Sequence, residues 1–338
     1  MIEIDGSYGE GGGQILRMSI AMAAVTGKEV RVFNIRGGRP KPGLKRQHMV
    51  AIESVARLCH AEVEGLQLGS TEIAFYPGAI EGGEYHFDIG TAGSVTLVLQ
   101  ACILPSLKAE RETHLVLRGG TDVKWSPPWD YFQHVTIPLL RKMGCSVEGY
   151  LNRRGYYPTG GGEVEVFIQP CHKIRTIQFN DRIESIFGLV HSANLPPHVP
   201  QRIKRAAEEE LSAHDLEAHI VLEETTAACP GTGITLWTEG KVLGADALGE
   251  RGTPAEQVGR KAAEMLATEI AAGVDVDERM VDQILPYAAL ANGTLSFTCR
   301  KVSEHARTEM WLIGQFADVQ FEVISDGMQR VTVKGVGT

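Results

Sequence analysis

An internal repeat constrains the fold of this chain more than any other feature of its sequence. The segment Ile35-Arg36-Gly37-Gly38 returns as Leu117-Arg118-Gly119-Gly120, 82 residues further along the chain. Each copy is followed by a polar loop that contains proline, a Gln-His pair and an apolar helical stretch. A chain of 338 residues is also too long for one ordinary compact core. We therefore predict a large domain built from repeated units.

Each unit is predicted to contain a strand, a helix, a strand, a helix and two strands. The first helix opens at small residues where the backbone turns, at residues 11–16 in one copy and 90–95 in the next. A third copy lies near the C-terminus, with helices near residues 282–291 and 305–316. The predicted fold class is α/β (α+β), with three βαβαββ units forming the large domain.

A long insertion interrupts the third unit and has a pattern of its own. A helix rich in Arg, Lys and Glu spans residues 200–212, and an Ala-rich helix spans residues 254–271. Three strands are expected between them, at residues 218–223, 233–238 and 241–245. We predict a small α/β domain over residues 184–274, inserted in a large domain that comprises residues 1–183 and 275–338.

The composition is typical of a soluble globular protein, with 43% hydrophobic and 22% charged residues. No apolar run reaches the roughly 18 residues of a membrane span, and the acidic N-terminus is unlike a secretory signal. We therefore expect a cytoplasmic protein with no membrane contact. The six cysteines form no C-x-x-C pair, which favours reduced core residues. A net charge of -9 argues against a protein that coats nucleic acid, but allows a local cationic cleft.

Two loops are rich in groups that hold phosphates. One is the glycine loop of residues 9–17, and the other is the arginine-rich loop of residues 36–48. Backbone N–H groups at a helix N-terminus and arginine side chains both bind anions. Glycine clusters more often mark turns, and basic loops are often simply solvated. Two prolines and three glycines stiffen the arginine-rich loop, however, which favours a preorganised anion site.

A histidine, His305, occupies the position in the third unit that a Gln-His pair occupies in the first two. At a helix N-terminus, backbone N–H groups favour bound anions and the neutral, nucleophilic imidazole. A lone histidine in an amphipathic helix is more often structural, and His48 and His134 could simply cap their helices. The combination of His305 with two phosphate-binding loops indicates nucleotidyl transfer.

Four motifs together resemble the RNA 3′-terminal phosphate cyclase family, over essentially the whole chain. They are the glycine loop with its glutamate, the arginine-rich loop, the turn Gly160-Gly161-Gly162 with the residues before it, and residues 303–308. The resemblance implies three repeats of the fold seen in the C-terminal domain of translation initiation factor three. It also implies an RNA-processing ligase that uses ATP to convert an RNA 3′-phosphate to a 2′,3′-cyclic phosphodiester, through histidine-AMP and RNA-pp-A intermediates.

The resemblance further implies roles for individual residues. His305 matches the nucleophile and Glu10 matches an acid that binds a divalent metal, Mg²⁺ or Mn²⁺. The implied phosphate contacts are Arg17, Arg39, Gln47 and His48, and the implied nucleotide pocket includes Gln100, Pro128, Asp246 and Asp282. One position departs from the family pattern, because Glu309 stands where the family usually has asparagine. We expect an acidic side chain there to repel a triphosphate and slow adenylylation.

Two other functions stay open for such a sequence. A cyclase-like protein without catalytic activity could bind RNA as a ribosome-assembly factor; His305 argues against this and Glu309 mildly favours it. An enolpyruvyl transferase would share the repeated architecture, but it forms no nucleotidyl-enzyme. The sequence contains no P-loop, Rossmann fingerprint or base-reading motif, so we expect recognition of RNA ends with little sequence preference. The expected assembly is a monomer or a homodimer.

Overall fold

The first repeat forms a four-stranded sheet with two helices. The structure, a computed structural model, describes residues 1–337. The elements of this repeat are β1 (Ile2–Asp5), α1 (Gly13–Thr26), β2 (Val30–Phe33), α2 (Arg46–Leu58), β3 (Glu62–Glu64) and β4 (Ile73–Tyr76). The strand order is β1-β2-β4-β3, with β1 and β2 parallel and the other pairs antiparallel. Helix α1 buries an apolar stretch and ends at Gly27, whose φ of 65° suits glycine.

The second repeat forms a sheet of the same topology, in the order β5-β6-β8-β7. Its elements are β5 (Gly83–Asp88), α3 (Val95–Ser106), β6 (Thr113–Gly119), α4 (Trp129–Tyr131), a π-helical segment (Phe132–Thr136), α5 (Ile137–Lys142), β7 (Val147–Arg153) and β8 (Gly162–Ile168). The Gln133-His134 pair lies inside this second helical stretch. In the first repeat, by contrast, Gln47-His48 lies in the first turn of α2.

The third repeat forms a three-stranded sheet in the order β13-β15-β14. Its elements are α8 (Met280–Leu290), β13 (Thr294–Cys299), α9 (Glu304–Phe316), β14 (Gln320–Asp326) and β15 (Met328–Lys334). In the first repeat, β1 pairs with β2. At the equivalent position of the third repeat there is only a single parallel bridge, between Arg175 and Asn292. The third copy therefore keeps both helices while its first strand is almost lost.

The insertion forms a sheet in the order β10-β9-β11-β12, covered by two helices that pack on each other. Its elements are β9 (Ile183–Ala193), α6 (His198–Ala213), β10 (His219–Thr225), β11 (Gly231–Gly240), β12 (Gly244–Leu248) and α7 (Ala255–Ala272). Strand β9 was not predicted. It is a central strand whose last residues are all buried, so its sequence lacks the alternation that marks a half-buried strand. The last predicted strand lies three residues too early.

Helices from the three repeats pack together and bring distant loops into contact. Helix α1 contacts α2, α3 and α9, and α8 contacts α9. One hydrophobic core runs through the three repeats, and a second, smaller core lies in the insertion. The α/β fold class is thus confirmed, while the exact domain boundaries stay a prediction. All six cysteines are free and five are buried. Within residues 1–337, no helix is both long and apolar enough to cross a bilayer.

Candidate active site

The imidazole of His305 lies in the first turn of α9 and contacts the glycine loop. Ser303 caps the helix, because its Oγ accepts a hydrogen bond from the Ala306 N–H at 3.1 Å. His305 Nδ1 is 2.9 Å from Glu10 Oε1, and the two side chains are 43% and 42% exposed. The imidazole is therefore held by one carboxylate and remains accessible. An Nδ1–H that donates to Glu10 leaves the lone pair of Nε2 free.

Basic side chains pack so closely against the glycine loop that they exclude a Cβ atom. Glu10 Oε2 lies 3.6 Å from Arg39 Nη2, so this carboxylate joins the imidazole to the arginine-rich loop. A Cβ built on Gly12 would lie 3.1 Å from Arg39 Nη2, and one on Gly13 would lie 2.4 Å from His48 Nε2. Glycine lets these donors approach the N-terminus of α1, where backbone N–H groups also point outward.

The buried His48 is a neutral hydrogen-bond donor beside this loop. Its Nδ1 accepts a hydrogen bond from the Lys45 N–H at 3.2 Å. The proton of the neutral ring is therefore on Nε2, the atom nearest Gly13. Burial, and then the charge of Arg17, lowers the pKa of His48 to about 3. At physiological pH the ring therefore offers an N–H group to the loop without a charge.

A cavity of about 390 Å³ opens among helices of the three repeats and α7 of the insertion. Its volume falls within the range of about 300–1,000 Å³ that is usual for small-molecule sites. Four of the predicted residues line it: Arg17, Gln100, Asp282 and His305. Apolar lining residues include Leu97, Ile103, Leu104, Phe132 and Pro286. Such a cavity suits a ligand with an anionic end and an apolar part.

The guanidinium of Arg17 is a buried cation with free donors. Arg17 is only 9% exposed, yet within residues 1–337 no group accepts a hydrogen bond from it. Burial lowers the pKa of Arg17 to about 10, and the carboxyl groups of Glu309 and Asp282 oppose this effect. The side chain stays charged at neutral pH. Its unpaired N–H groups in the cavity wall are available to an anionic ligand.

The carboxyl group of Glu309 lies near Arg17 and is buried. Glu309 is 1% exposed, and its Oε2 accepts a hydrogen bond from Gln14 Nε2 at 2.8 Å. Burial, and then repulsion from Asp282, raises the pKa of Glu309 well above its usual value. The expectation that an acidic side chain here repels a triphosphate stays a prediction. The raised pKa opposes that repulsion, because a protonated carboxyl resembles the neutral amide of asparagine.

The acidic Asp282 shares this wall and also holds its proton more tightly than usual. It lies in the first turn of α8 and is half-buried among the cavity residues. Burial raises the pKa of Asp282 to about 6, while His305, Arg279 and Arg17 oppose the shift. The net charge of this wall therefore changes just below neutral pH.

Three other predicted residues, Gln47, Pro128 and Asp246, do not line the cavity. Gln47 Oε1 accepts the N–H of Ser94 at 3.3 Å, which connects α2 to the loop before α3. Pro128 is buried and precedes α4 as its N-cap residue. Asp246 pairs with Arg279 at 2.8 Å, and it is Arg279 that lines the cavity. The structure therefore brings Arg39 and His48 to the glycine loop, but not these three residues to the cavity surface.

The lining residues without a role predicted from sequence include Gln14, Arg279 and Trp125. Gln14 bridges two positions on α9, because its Nε2 donates to both the His305 carbonyl and Glu309. Arg279 lies just before α8, and Trp125 lies in the polar loop before α4. Gln14 is part of the glycine loop motif, which is the one signal that could have identified it. The other two depend on contacts between repeats that sequence spacing does not report.

A buried guanidinium and an accessible imidazole that line one cavity are features typical of α/β proteins that bind anionic ligands. The particular family is defined by residues 8–323, which match the family model described as RNA 3′-terminal phosphate cyclase. The chain belongs to this family, and the family is one of enzymes. The resemblance seen in the sequence is thereby confirmed.

Curated relatives match along almost their full length. The RNA 3′-terminal phosphate cyclase of Methanosarcina barkeri is 48% identical over 335 residues, which cover 98% of this chain and 100% of the relative. The relative of the same name from Methanopyrus kandleri is 46% identical, covering 99% and 98%. That from Nitrosospira multiformis is also 46% identical, covering 99% and 97%. Among solved structures, the enolpyruvyl transferase NikO from Streptomyces tendae has a TM-score of 0.39 at 11% identity, covering 99% of this chain and 48% of that one.

Proposed function

We propose that this protein converts an RNA 3′-terminal phosphate to a 2′,3′-cyclic phosphodiester, using ATP and a covalent histidine-AMP intermediate. One observation carries the proposal: His305 Nδ1 lies 2.9 Å from Glu10 Oε1, at the edge of a cavity that holds the unpaired Arg17. A nucleophile with one nitrogen held and the other free suits attack on phosphorus. A buried cation beside it suits the charge that develops during the attack.

In the first step, His305 Nε2 attacks the α-phosphorus of ATP. A nitrogen–phosphorus bond forms, and the bond from the α-phosphorus to the oxygen of the leaving pyrophosphate breaks. Glu10 accepts the Nδ1–H, which fixes the tautomer and stabilises the positive charge that the ring acquires. The guanidinium of Arg17 stabilises negative charge on the phosphoryl oxygens. The helix dipole of α9 acts in the same direction, because its N-terminus is positive.

In the second step, an oxygen of the RNA 3′-phosphate attacks the phosphorus of the histidine-AMP. The nitrogen–phosphorus bond breaks, which releases His305 and forms an RNA-pp-A anhydride. The neighbouring 2′-OH then attacks the RNA phosphorus, loses its proton and expels AMP, which closes the cyclic phosphodiester. The ribose already holds this hydroxyl close to the phosphorus, so proximity supplies much of the acceleration.

The carboxylate of Glu10 can serve a divalent metal if nucleotide phosphates complete the site. Glu10 is 42% exposed and is the acidic side chain that contacts His305. Mg²⁺ usually binds through one or two carboxylates together with substrate phosphates and water, and this single carboxylate fits that pattern. A metal held there would neutralise charge on the leaving pyrophosphate.

The test is covalent labelling with ATP that carries label in its α-phosphate. Wild-type protein is incubated with Mg²⁺ or Mn²⁺, denatured, and treated with acid or alkali; we expect label that is lost in acid and retained in alkali. His305→Ala should carry none. His60→Ala is a matched control, because His60 also pairs with a glutamate, Glu81 at 2.8 Å, but on the outer surface. Absence of label from wild type, with ATP binding intact, would instead favour an RNA-binding protein without catalysis.

A further inference from the structure

Trp125 is the most exposed large apolar side chain in residues 1–337. It is 94% exposed, whereas Trp129 is 2% exposed and the other two tryptophans, Trp237 and Trp311, are half-buried. Tryptophan is large and apolar, and it usually covers part of its ring when nothing else selects its position. The exposure of this one ring therefore requires a reason.

The fold holds Trp125 in this exposed position. Its φ of 62° lies in the left-handed region that bulky residues rarely adopt. The loop on its C-terminal side is anchored by buried contacts: Ser126 Oγ donates to the Val123 carbonyl at 2.9 Å, and Thr96 Oγ1 donates to the Pro127 carbonyl at 2.7 Å. The ring is thus presented to solvent by a fixed loop, with little freedom to fold back.

The exposed ring stands where RNA would enter the proposed active site. Trp125 lines the same cavity as His305 and Arg17. Apolar residues such as Leu97 and Pro286 line part of that cavity and suit the base of ATP, while the Trp125 ring is exposed to solvent. Lys124 Nζ lies 5.9 Å from the centre of the Trp125 ring and places a cation beside it, one that also pairs with Glu250 at 2.5 Å. An aromatic ring next to a cation is how many proteins hold single-stranded nucleic acid.

We propose that Trp125 stacks on a nucleobase at or next to the 3′ end of the RNA and so directs the terminal phosphate toward His305. The proposal rests on the function proposed above and names the part of the site that holds the second substrate. Stacking uses the flat face that every base has, so it agrees with the expected lack of sequence preference.

The first test separates the two substrates. Trp125→Ala should form enzyme-AMP from labelled ATP at the wild-type rate, while the KM for RNA with a 3′-phosphate rises roughly 10-fold. Trp125→Phe should restore most of the loss, because it keeps a flat ring. Tyr150→Ala is the control, since Tyr150 is also an exposed aromatic residue, 53% exposed on β7, but lies outside the cavity. If Trp125→Ala slows enzyme-AMP formation instead, the ring serves ATP and the proposal is wrong.

The second test identifies the contact itself. RNA with an abasic ribose at the last or the next-to-last position keeps its 2′-OH and 3′-phosphate but has no base to stack. At one of these positions, the abasic RNA should raise the KM of wild type about as much as Trp125→Ala raises the KM for intact RNA. The KM of Trp125→Ala should rise little further with the abasic RNA. Independent, additive increases in KM at both positions would overturn the proposal.

The failure of this inference is distinguishable from failure of the proposed function. RNA binding can be measured without ATP by the quenching of tryptophan fluorescence, and this measurement requires no chemistry at His305. We expect quenching by wild type and much less by Trp125→Phe, because that variant lacks the reporting indole. If wild type binds the RNA but wild type and Trp125→Phe show equal quenching, the base lies elsewhere, even if enzyme-AMP forms.

Discussion

The raised pKa of Asp282 predicts a pH-dependent change in stability that one substitution can isolate. Burial raises the pKa of Asp282 from 3.8 to about 6. Each pH unit between the folded and unfolded pKa values corresponds to about 1.4 kcal/mol, so the full effect is about 3 kcal/mol. Because the folded protein holds the proton on Asp282 more tightly, the contribution of Asp282 to the free energy of unfolding is most favourable below pH 3.8. This contribution is lost as the pH rises to 6 and above.

Asp282→Asn removes this titration. We therefore expect the free energy of unfolding of the variant, relative to wild type, to rise by about 2 kcal/mol between pH 4.5 and pH 8. The groups that face Asp282 are Arg17, Arg279, His305 and Glu309, and all of them are retained. Any effect of asparagine that does not depend on pH cancels when the two pH values are compared.

The assay is urea unfolding of both proteins at several pH values without nucleotide. Asp5→Asn is a control of opposite sign, because hydrogen bonds from Ser7 lower the pKa of Asp5. In that variant, stability relative to wild type should fall as the pH rises toward 3.8 and stay nearly constant between pH 4.5 and pH 8. A difference between wild type and Asp282→Asn that stays constant from pH 4.5 to pH 8 would refute the reasoning, since it would mean that burial does not hold the proton on Asp282.

Three further predictions concern the same site and its support. Glu309→Gln should form enzyme-AMP as fast as wild type at neutral pH, because burial favours the neutral form of Glu309 and glutamine resembles that form, whereas Glu309→Lys should abolish it; labelling with ATP measures both. Gly13→Ala should weaken ATP binding, measured by calorimetry, because its Cβ would meet His48 Nε2 at 2.4 Å. Arg154→Ala should lower the free energy of unfolding by about 3–5 kcal/mol, because it leaves buried carboxylates such as Asp122 unpaired; the exposed Arg153→Ala should cost little.

The sequence alone was sufficient for the repeated architecture and for the position of the candidate nucleophile. Helix and strand patterns depend on local periodicity, and the repeated Arg-Gly-Gly and Gln-His segments showed that the same unit recurs. The place of His305 at the start of a helix follows from the same alignment of units. The failure at β9 has a physical cause, since the buried end of this strand carries the polar residues His191 and Ser192, so its burial does not show as an apolar pattern.

Only the tertiary structure decided the charge state and the contacts of the site. Gln14 and Glu309 are 295 positions apart in the chain, yet their side chains are hydrogen-bonded. The sequence identified Glu309 as an acid but could not show that burial raises its pKa. Likewise, it could not show that Arg17 is a buried cation without a hydrogen-bond partner or that Trp125 is exposed at the cavity. Protonation and exposure depend on which side chains surround a group, and packing between repeats determines that.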